Sequence, residues 1–260
     1  MAIKLDKISY QDKLKNITYE FEKGKITGVL ASSGSGKTIL SYIIGKIEKD
    51  IEGVLTNNYI GREIGYVFQN PEETFIFNTV REELTFGLEK YNYKLNELEK
   101  RINDSLKMVG LPASCLENDP NVLSSGEKFL LSFAITLSLN PKLIIIDEPT
   151  TYLDSMNKEY LIKLLKKIKN NYKKTIIVLS NDIDFILKLV DNYLILKKGK
   201  ITCSGTNKDL IKNYDKIKSA HIETPKIIEF INAVKKKKNI DLELTYDIKE
   251  LMKDIYRNVH

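Results

Sequence analysis

Residues 25–38 read KITGVLASSGSGKT, an apolar run passing into a Gly/Ser loop that closes on Lys37 and Thr38. The run predicts a strand, and Ile39, Leu40, Ile43 and Ile44 predict an apolar helix directly after the loop. Strand, glycine-rich turn and helix N-terminus together hold phosphate: backbone N–H groups wrap the anion, the helix dipole favours it, and a Lys neutralises it. Against the pattern G-x-x-x-x-G-K-[ST], in which the last hydroxyl reaches Mg²⁺, Gly34, Gly36, Lys37 and Thr38 fit, with Ser33 and Ser35 between them. Ala31 stands where the opening Gly is expected. Ala costs little there if its φ is negative and roughly 1–2 kcal/mol if the backbone must be left-handed. A ligand-free Ser/Gly turn is the plain alternative, and the flanking strand and helix argue against it.

A chain of 260 residues, 42% hydrophobic, is long enough to bury a full core. Its 41 basic and 35 acidic residues are interspersed, so the net charge of +6 reads as a solvated surface; the run Lys235–Lys238 reads as the basic end of a helix. Met-Ala-Ile-Lys opens onto a charged strand pattern and no stretch nears the roughly 20 apolar residues that cross a bilayer. The expectation is a cytosolic chain that meets a membrane only through a partner. Cys115 and Cys203 lack CxxC spacing or neighbouring His, which leaves them as packing residues.

In chain order, residues 2–10 and 16–22 alternate as two antiparallel strands. Tyr10 ends the first, where its ring is a candidate for stacking on a nucleotide base, although a lone strand Tyr is more often a packing residue. A strand at 64–69 is stopped by Pro71. Helices are expected at 79–90 and 94–110, the second with apolar positions 95, 98, 102, 106 and 109 and a stop at Gly110. LSSGEK at 123–128 precedes an apolar helix at 129–139 that Ser124 or Ser125 can cap. Leu143 to Ile146 form a buried parallel strand that delivers Asp147 and Glu148 at its carboxyl end, the edge where ligands of such sheets bind. A helix at 155–170, a strand at 175–179 ending in Ser180-Asn181-Asp182, and a hairpin at 193–203 follow. Beyond Gly205 the composition is polar, then helices are expected at 226–238, after Pro225, and 247–258.

Gln69 after a strand, LSSGEK, IIIDEPT at 144–150 and Leu153-Asp154, in that order, resemble the nucleotide-binding subunit of an ABC ATPase over residues 2 to about 205. A narrower set, VFQNP at 67–71 with Thr79-Val80, Phe86-Gly87 and the tail at 222–255 with its Ile240-Asp241-Leu242 link, is similar to the ATPases of energy-coupling factor importers and their cobalt or nickel relatives. The resemblance implies an α/β P-loop NTPase: an ATPase domain at 1–205, with a parallel core sheet, an antiparallel β subdomain and a helical insertion at roughly 76–140, then a helical extension at 206–260.

It also implies roles. Lys37 contacts the β and γ phosphates of ATP in the loop of Ser33, Gly34, Ser35, Gly36 and Thr38. Thr38 and Asp147 hold Mg²⁺, and Gln69 senses metal and γ-phosphate. Glu148 orients and partly deprotonates the attacking water. Ser124, Ser125 and Gly126 meet the nucleotide of an opposed subunit, and Asp154 belongs to the nucleotide-binding set. The implied partners are a second ABC ATPase, a different one in preference to a copy, and a transmembrane scaffold with substrate-binding membrane components; no nucleic acid is expected, and the location is the cytoplasmic face of the cell membrane. Five positions depart from the family: Ser125 replaces Gly, Glu127 replaces Gln, Phe129-Leu130 replaces Gln-Arg, and Asn181 replaces the switch His. Glu127 is repulsive to a partner's γ-phosphate unless it points away. Asn181 carries no charge, so this chain's own site is expected to turn over slowly. The alternative is a soluble ABC ATPase acting on DNA or ribosomes, but such proteins usually carry long coiled-coil insertions or tandem halves, and neither fits in this chain. A small-molecule kinase leaves LSSGEK unexplained. A purely structural subunit conflicts with intact Lys37, Thr38, Asp147 and Glu148.

Overall fold

Alternating apolar residues fold first as β1 (Ile3–Tyr10) and β2 (Leu14–Phe21), an antiparallel pair whose inward side chains Ile3, Leu5, Ile8, Leu14, Ile17 and Phe21 are buried. The computed structural model describes residues 3–238, 242 and 248–259. β3 (Ile26–Leu30) leads into α1 (Lys37–Ile44), and β4 (Glu52–Asn57) returns to pair with the free edge of β1, giving a small sheet in the order β2-β1-β4. The chain continues through β5 (Ile64–Val67), α2 (Val80–Lys90), α3 (Leu95–Val109), α4 (Ser125–Ser138), β6 (Leu143–Asp147), α5 (Ser155–Tyr172), β7 (Thr175–Ser180), α6 (Ile183–Leu189), β8 (Asn192–Lys197) and β9 (Lys200–Thr206). After β9 come α7 (Asn207–Leu210), α8 (Tyr214–Ser219), α9 (Lys226–Lys238) and α10 (Ile248–Val259).

The main sheet has the order β5-β6-β7-β3-β8-β9, parallel except for the β8–β9 hairpin. β3, β6 and β7 are buried along their whole length, as strands covered on both faces must be. Alternation divides their side chains between two cores: Ile144, Ile146, Ile176 and Val178 join the side of the long helices, whereas Leu143, Ile145, Ile177 and Leu179 join α1 and the small sheet. Because the strands are parallel, the segments after β3, β5, β6 and β7 leave at one edge. Register brings three of them side by side, since Asp147 pairs with Leu179 and Leu30 with Ser180.

Several expectations need correction. The apolar helix starts at Ser125 instead of 129, because its first turn is capped through polar side chains that hydrophobic periodicity does not register. Leu95 is 82% exposed and lies off the packed face that Leu98, Ile102, Leu106 and Val109 form. The stretch after Gly205 holds two short helices, α7 and α8, where the polar composition suggested none. On the last helix Leu251 is buried and Ile255 packs in part, while Ile248 and Met252 are exposed. Ile240 and Asp241 of the proposed link, and Ala2 of the strand expected at 2–10, lie outside the described residues. Ile217, Ile222, Ile228 and Ile231 join the core on the long-helix side, so the tail is packed onto the rest of the chain.

Candidate active site

The loop after β3 is built on two glycines with positive φ. Gly36, at φ +96°, caps α1, and a Cβ there would meet Leu14 Cδ2 and the Lys13 carbonyl oxygen at 2.9 Å. Gly34, at φ +74°, has open space where its side chain would be. Ala31 is buried and is not among the residues with positive φ, so the strain considered for an Ala at the loop's opening does not arise. Ser35 folds back on Ser32 through both a backbone bond (3.3 Å) and a hydroxyl contact (3.0 Å). Lys37 is buried; its ammonium donates to the Ala31 carbonyl at 2.6 Å and forms an ion pair with Glu148 Oε1.

Glu148 sits one residue past β6 in the left-handed region, φ +48°. Its N–H donates to the Leu179 carbonyl (2.9 Å), and its Oε2 accepts the backbone N–H of Asn181 (3.2 Å). Asp147, 1% exposed, has no hydrogen-bond partner for either carboxylate oxygen. Burial pushes its pKa up to about 6; the Thr38 hydroxyl, near it but short of hydrogen-bond geometry, and Lys37 oppose this, and the Glu148 charge adds to it. A buried carboxylate with both oxygens unpartnered beside a hydroxyl matches what Mg²⁺ asks for, oxygen donors with room for water and phosphate. Among the described residues no cluster of three or more His, Cys, Asp or Glu forms, so a cation here depends on Thr38 and on the oxygens of its ligand.

Lys37, Asp147, Glu148 and Asn181 therefore converge, as does Thr38. Gln69 is exposed in the loop after β5, and its neighbour Asn70 accepts the Tyr152 hydroxyl at 2.9 Å, which ties that loop to the segment after Glu148. Ser124 is the cap of α4: its hydroxyl accepts from the Glu127 N–H (3.3 Å), and Glu127 Oε2 accepts the Ser124 N–H (2.9 Å) and hydroxyl (2.7 Å). These bonds, the Ser124 hydroxyl foremost, hold the Glu127 carboxyl below its usual range and occupy it within its own helix turn. Ser125 and Gly126 lie in the first turn of α4; a Cβ at Gly126 would approach the Tyr152 carbonyl oxygen at 3.3 Å. Asp154 caps α5 by accepting the Asn157 N–H at 2.7 Å. Among the described residues no hydrogen bond or ion pair joins Ser124, Ser125, Gly126 or Asp154 to the Lys37 group. Phe129 is buried and Leu130 packs against the core, so apolar packing stands where the family has polar residues. The Tyr10 hydroxyl donates to Glu48 at 3.0 Å, which raises its own pKa; the Asp50 N–H first and this hydroxyl second lower that of Glu48, and the Tyr10 ring is part-buried against the small sheet's core.

A polar cleft of about 910 Å³ opens beside this group, lined by Ser32, Ser33, Thr150, Asn181, Asp182 and the tail segment 221–226 among others. Sequence reading missed the Lys37–Glu148 pair, the Lys158–Asp182 ion pair (2.7 Å) and the tail's presence here. Ile222 and Pro225, apolar residues flanking a polar pair, were the available signal for a docked tail. A smaller cavity of about 220 Å³ between α3, α4 and α5 contains none of the predicted site residues.

The ABC transporter family matches residues 14–151. The chain is 36% identical to the energy-coupling factor transporter ATP-binding protein EcfA1 of Mycoplasma mobile, a match over 93% of this chain and 89% of that protein. Among solved structures, cbiO1 from Clostridium perfringens, part of the ABC transporter complex cbiONQ, superposes with TM-score 0.74 at 26% identity, covering 88% of this chain and 98% of that one. A dimeric ATP-binding cassette bound to ADP and phosphate superposes with TM-score 0.68 at 28% identity, over 79% of this chain and 98% of that one.

Proposed function

The chain belongs to the ABC transporter ATPase family and hydrolyses ATP to drive transport, and we propose on that premise that it is one half of a nucleotide-sandwich pair in an importer of the energy-coupling factor type. The observation that carries the assignment of the site is the buried Lys37–Glu148 pair beside an unpartnered Asp147. Lys37 exchanges its carboxylate partner for the β and γ phosphates, which frees Glu148. The freed carboxylate, still fixed by the Asn181 N–H, orients the attacking water and accepts its proton. Thr38 and Asp147 would hold Mg²⁺, which would neutralise phosphate oxygens and the charge that develops on them. Gln69 reaches the same site from the adjoining loop, and Tyr10 stacks on the base once its tie to Glu48 yields.

Completion by an opposed subunit is supported by the observation that, among the described residues, no hydrogen bond or ion pair joins the Ser124–Gly126 turn to Lys37, and by the dimeric relative. The helix N-terminus at Ser124 offers backbone N–H groups to a neighbour's nucleotide. A different, more typical ATPase is the favoured partner, because Asn181 leaves this chain's site without a charged switch side chain. Among the described residues no helix is long and apolar enough to cross a membrane, and attachment to the cytoplasmic face runs through a membrane scaffold. Two experiments test this. Glu148→Gln should abolish turnover while nucleotide still binds; retention of a tenth of the wild-type rate would remove Glu148 from the role. Affinity purification from solubilised membranes should bring down a second ATPase with membrane subunits, whereas ribosomes or DNA repair factors would overturn the importer reading.

A further inference from the structure

The segment between α8 and α9 is pinned at both ends. At its start the His221 N–H donates to the Lys218 carbonyl (3.0 Å); at its end the Pro225 carbonyl accepts the N–H groups of Ile228 (2.9 Å) and Glu229 (3.1 Å), and the Thr224 hydroxyl donates to Glu229 (2.6 Å). Ile222, Thr224 and Pro225 are buried, so alternation along the stretch turns His221 and Glu223 outward, and both line the cleft shared with Ser32, Ser33 and Asn181. His221 holds a left-handed backbone, φ +55°, a conformation that His adopts more readily than most side chains.

The cleft needs a proton-bearing donor. Hydrolysis builds negative charge on the transferred phosphoryl group, and donors aimed at it stabilise that charge. Asn181, next to Glu148, spends its backbone N–H on that carboxylate and has a neutral side chain. Lys158 is committed to Asp182, while Asp184 and Glu223 bring negative charge that opposes a phosphate. His221 is one of two histidines in the sequence, the other being His260, and imidazole is the side chain that donates a hydrogen bond and can carry a proton near neutral pH. We propose that His221, carried into the cleft by the C-terminal tail, is a further residue of the ATPase site, its imidazole N–H donating to the transferred phosphoryl group in place of the charge-bearing donor that Asn181 is not. No covalent bond to His221 forms or breaks. The tail is then a working part of the site.

This rests on the assignment of Lys37 and Glu148 to hydrolysis, which Glu148→Gln tests by itself; the tests of His221 keep Glu148 intact. ATPase kinetics of the full chain in its membrane complex are compared for wild type, His221→Ala, His221→Asn, Lys226→Ala, Asn181→His and the pair Asn181→His with His221→Asn. Asn accepts the left-handed backbone, so His221→Asn removes the ring without disturbing the turn. Both His221 variants should lower kcat about tenfold with ATP affinity and thermal midpoint unchanged, and Asn181→His should restore most of the rate to His221→Asn. A wild-type kcat in His221→Asn, a loss confined to His221→Ala with a lowered thermal midpoint, no rescue by Asn181→His, or an equal loss in Lys226→Ala, which would trace the effect to net charge, would each overturn the proposal.

Discussion

The Lys37 ammonium is ion-paired with the Glu148 carboxylate, with side chains only 7% and 10% exposed. Two groups with opposite duties toward ATP thus neutralise one another. Removing one leaves the other buried and uncompensated, which costs about 3–5 kcal/mol when a pair is fully desolvated. Lys37→Met should lower stability by about 2–3 kcal/mol, discounted for partial access of water, and Lys37→Met with Glu148→Gln should recover most of it. Urea denaturation of the four members of this cycle measures the coupling; additive effects would mean that the pair is energetically idle.

Glu148→Gln also releases Lys37 from its carboxylate. ATP affinity should rise while turnover falls by about two orders of magnitude or more. Equilibrium binding of a fluorescent ATP analogue beside phosphate release checks both halves, and weaker binding in the variant would refute the exchange of partners at Lys37.

The two ends of the phosphate loop respond differently to a methyl group. Gly36→Ala meets Leu14 and the Lys13 carbonyl oxygen and must hold φ near +96°, so it should destabilise the chain by about 2 kcal/mol or more and impair nucleotide binding. Ala31→Gly relaxes nothing, because Ala31 is not strained, and should cost about 0.5–1 kcal/mol through the unfolded chain's added freedom. Thermal denaturation decides; a stabilised Ala31→Gly would point to strain at that residue.

The capping box at α4 makes stability sensitive to acid. Glu127 has a depressed folded-state pKa, so its contribution is present above its unfolded value and is lost as pH falls through the folded one. Glu127 is exposed, so the effect is small. The stability gap between wild type and Glu127→Gln should close as pH is lowered from about 6 to below about 4. Ser124→Ala, which removes the cap, should cost about 1 kcal/mol at neutral pH. A gap that is constant with pH would mean that the carboxylate bonds contribute nothing.

Asn181→His should raise kcat about tenfold where His221 is replaced by Asn and by less where His221 is intact, with ATP affinity unchanged in both. Single-turnover measurements distinguish a faster chemical step from faster product release, and an unaltered chemical rate would end the slow-site idea.

Much of this was legible in sequence because local signals were strong. The uninterrupted run Leu143–Ile146 announced a strand buried on both faces, and Asp147 and Glu148 had to emerge at its ligand-binding end. The loop's glycines were equally plain. The Lys37–Glu148 pair was not, since 111 residues separate its members and only the order β6-β7-β3 brings them together. Glu127 read as a liability when weighed alone, whereas the S-x-x-E spacing with Ser124 already specified a reciprocal cap. Leu95 fitted the period of its helix, yet periodicity does not tell where a packed face ends. For the tail, Ile222 and Pro225 signalled burial, but the surface that buries them lies far away in sequence, so no short window names the cleft as their docking place.

The sheet order also sets a timetable for synthesis. β3, which carries the phosphate loop, pairs only with β7 and β8. Its hydrogen-bonding edges therefore have no sheet partner until residues 175–195 leave the ribosome, on the order of ten seconds later at ordinary elongation rates. Nascent chains shorter than this have the loop's residues without the wall that aligns them. Nucleotide capture is thus a late event in the life of the polypeptide, and a truncated chain has no means of hoarding ATP.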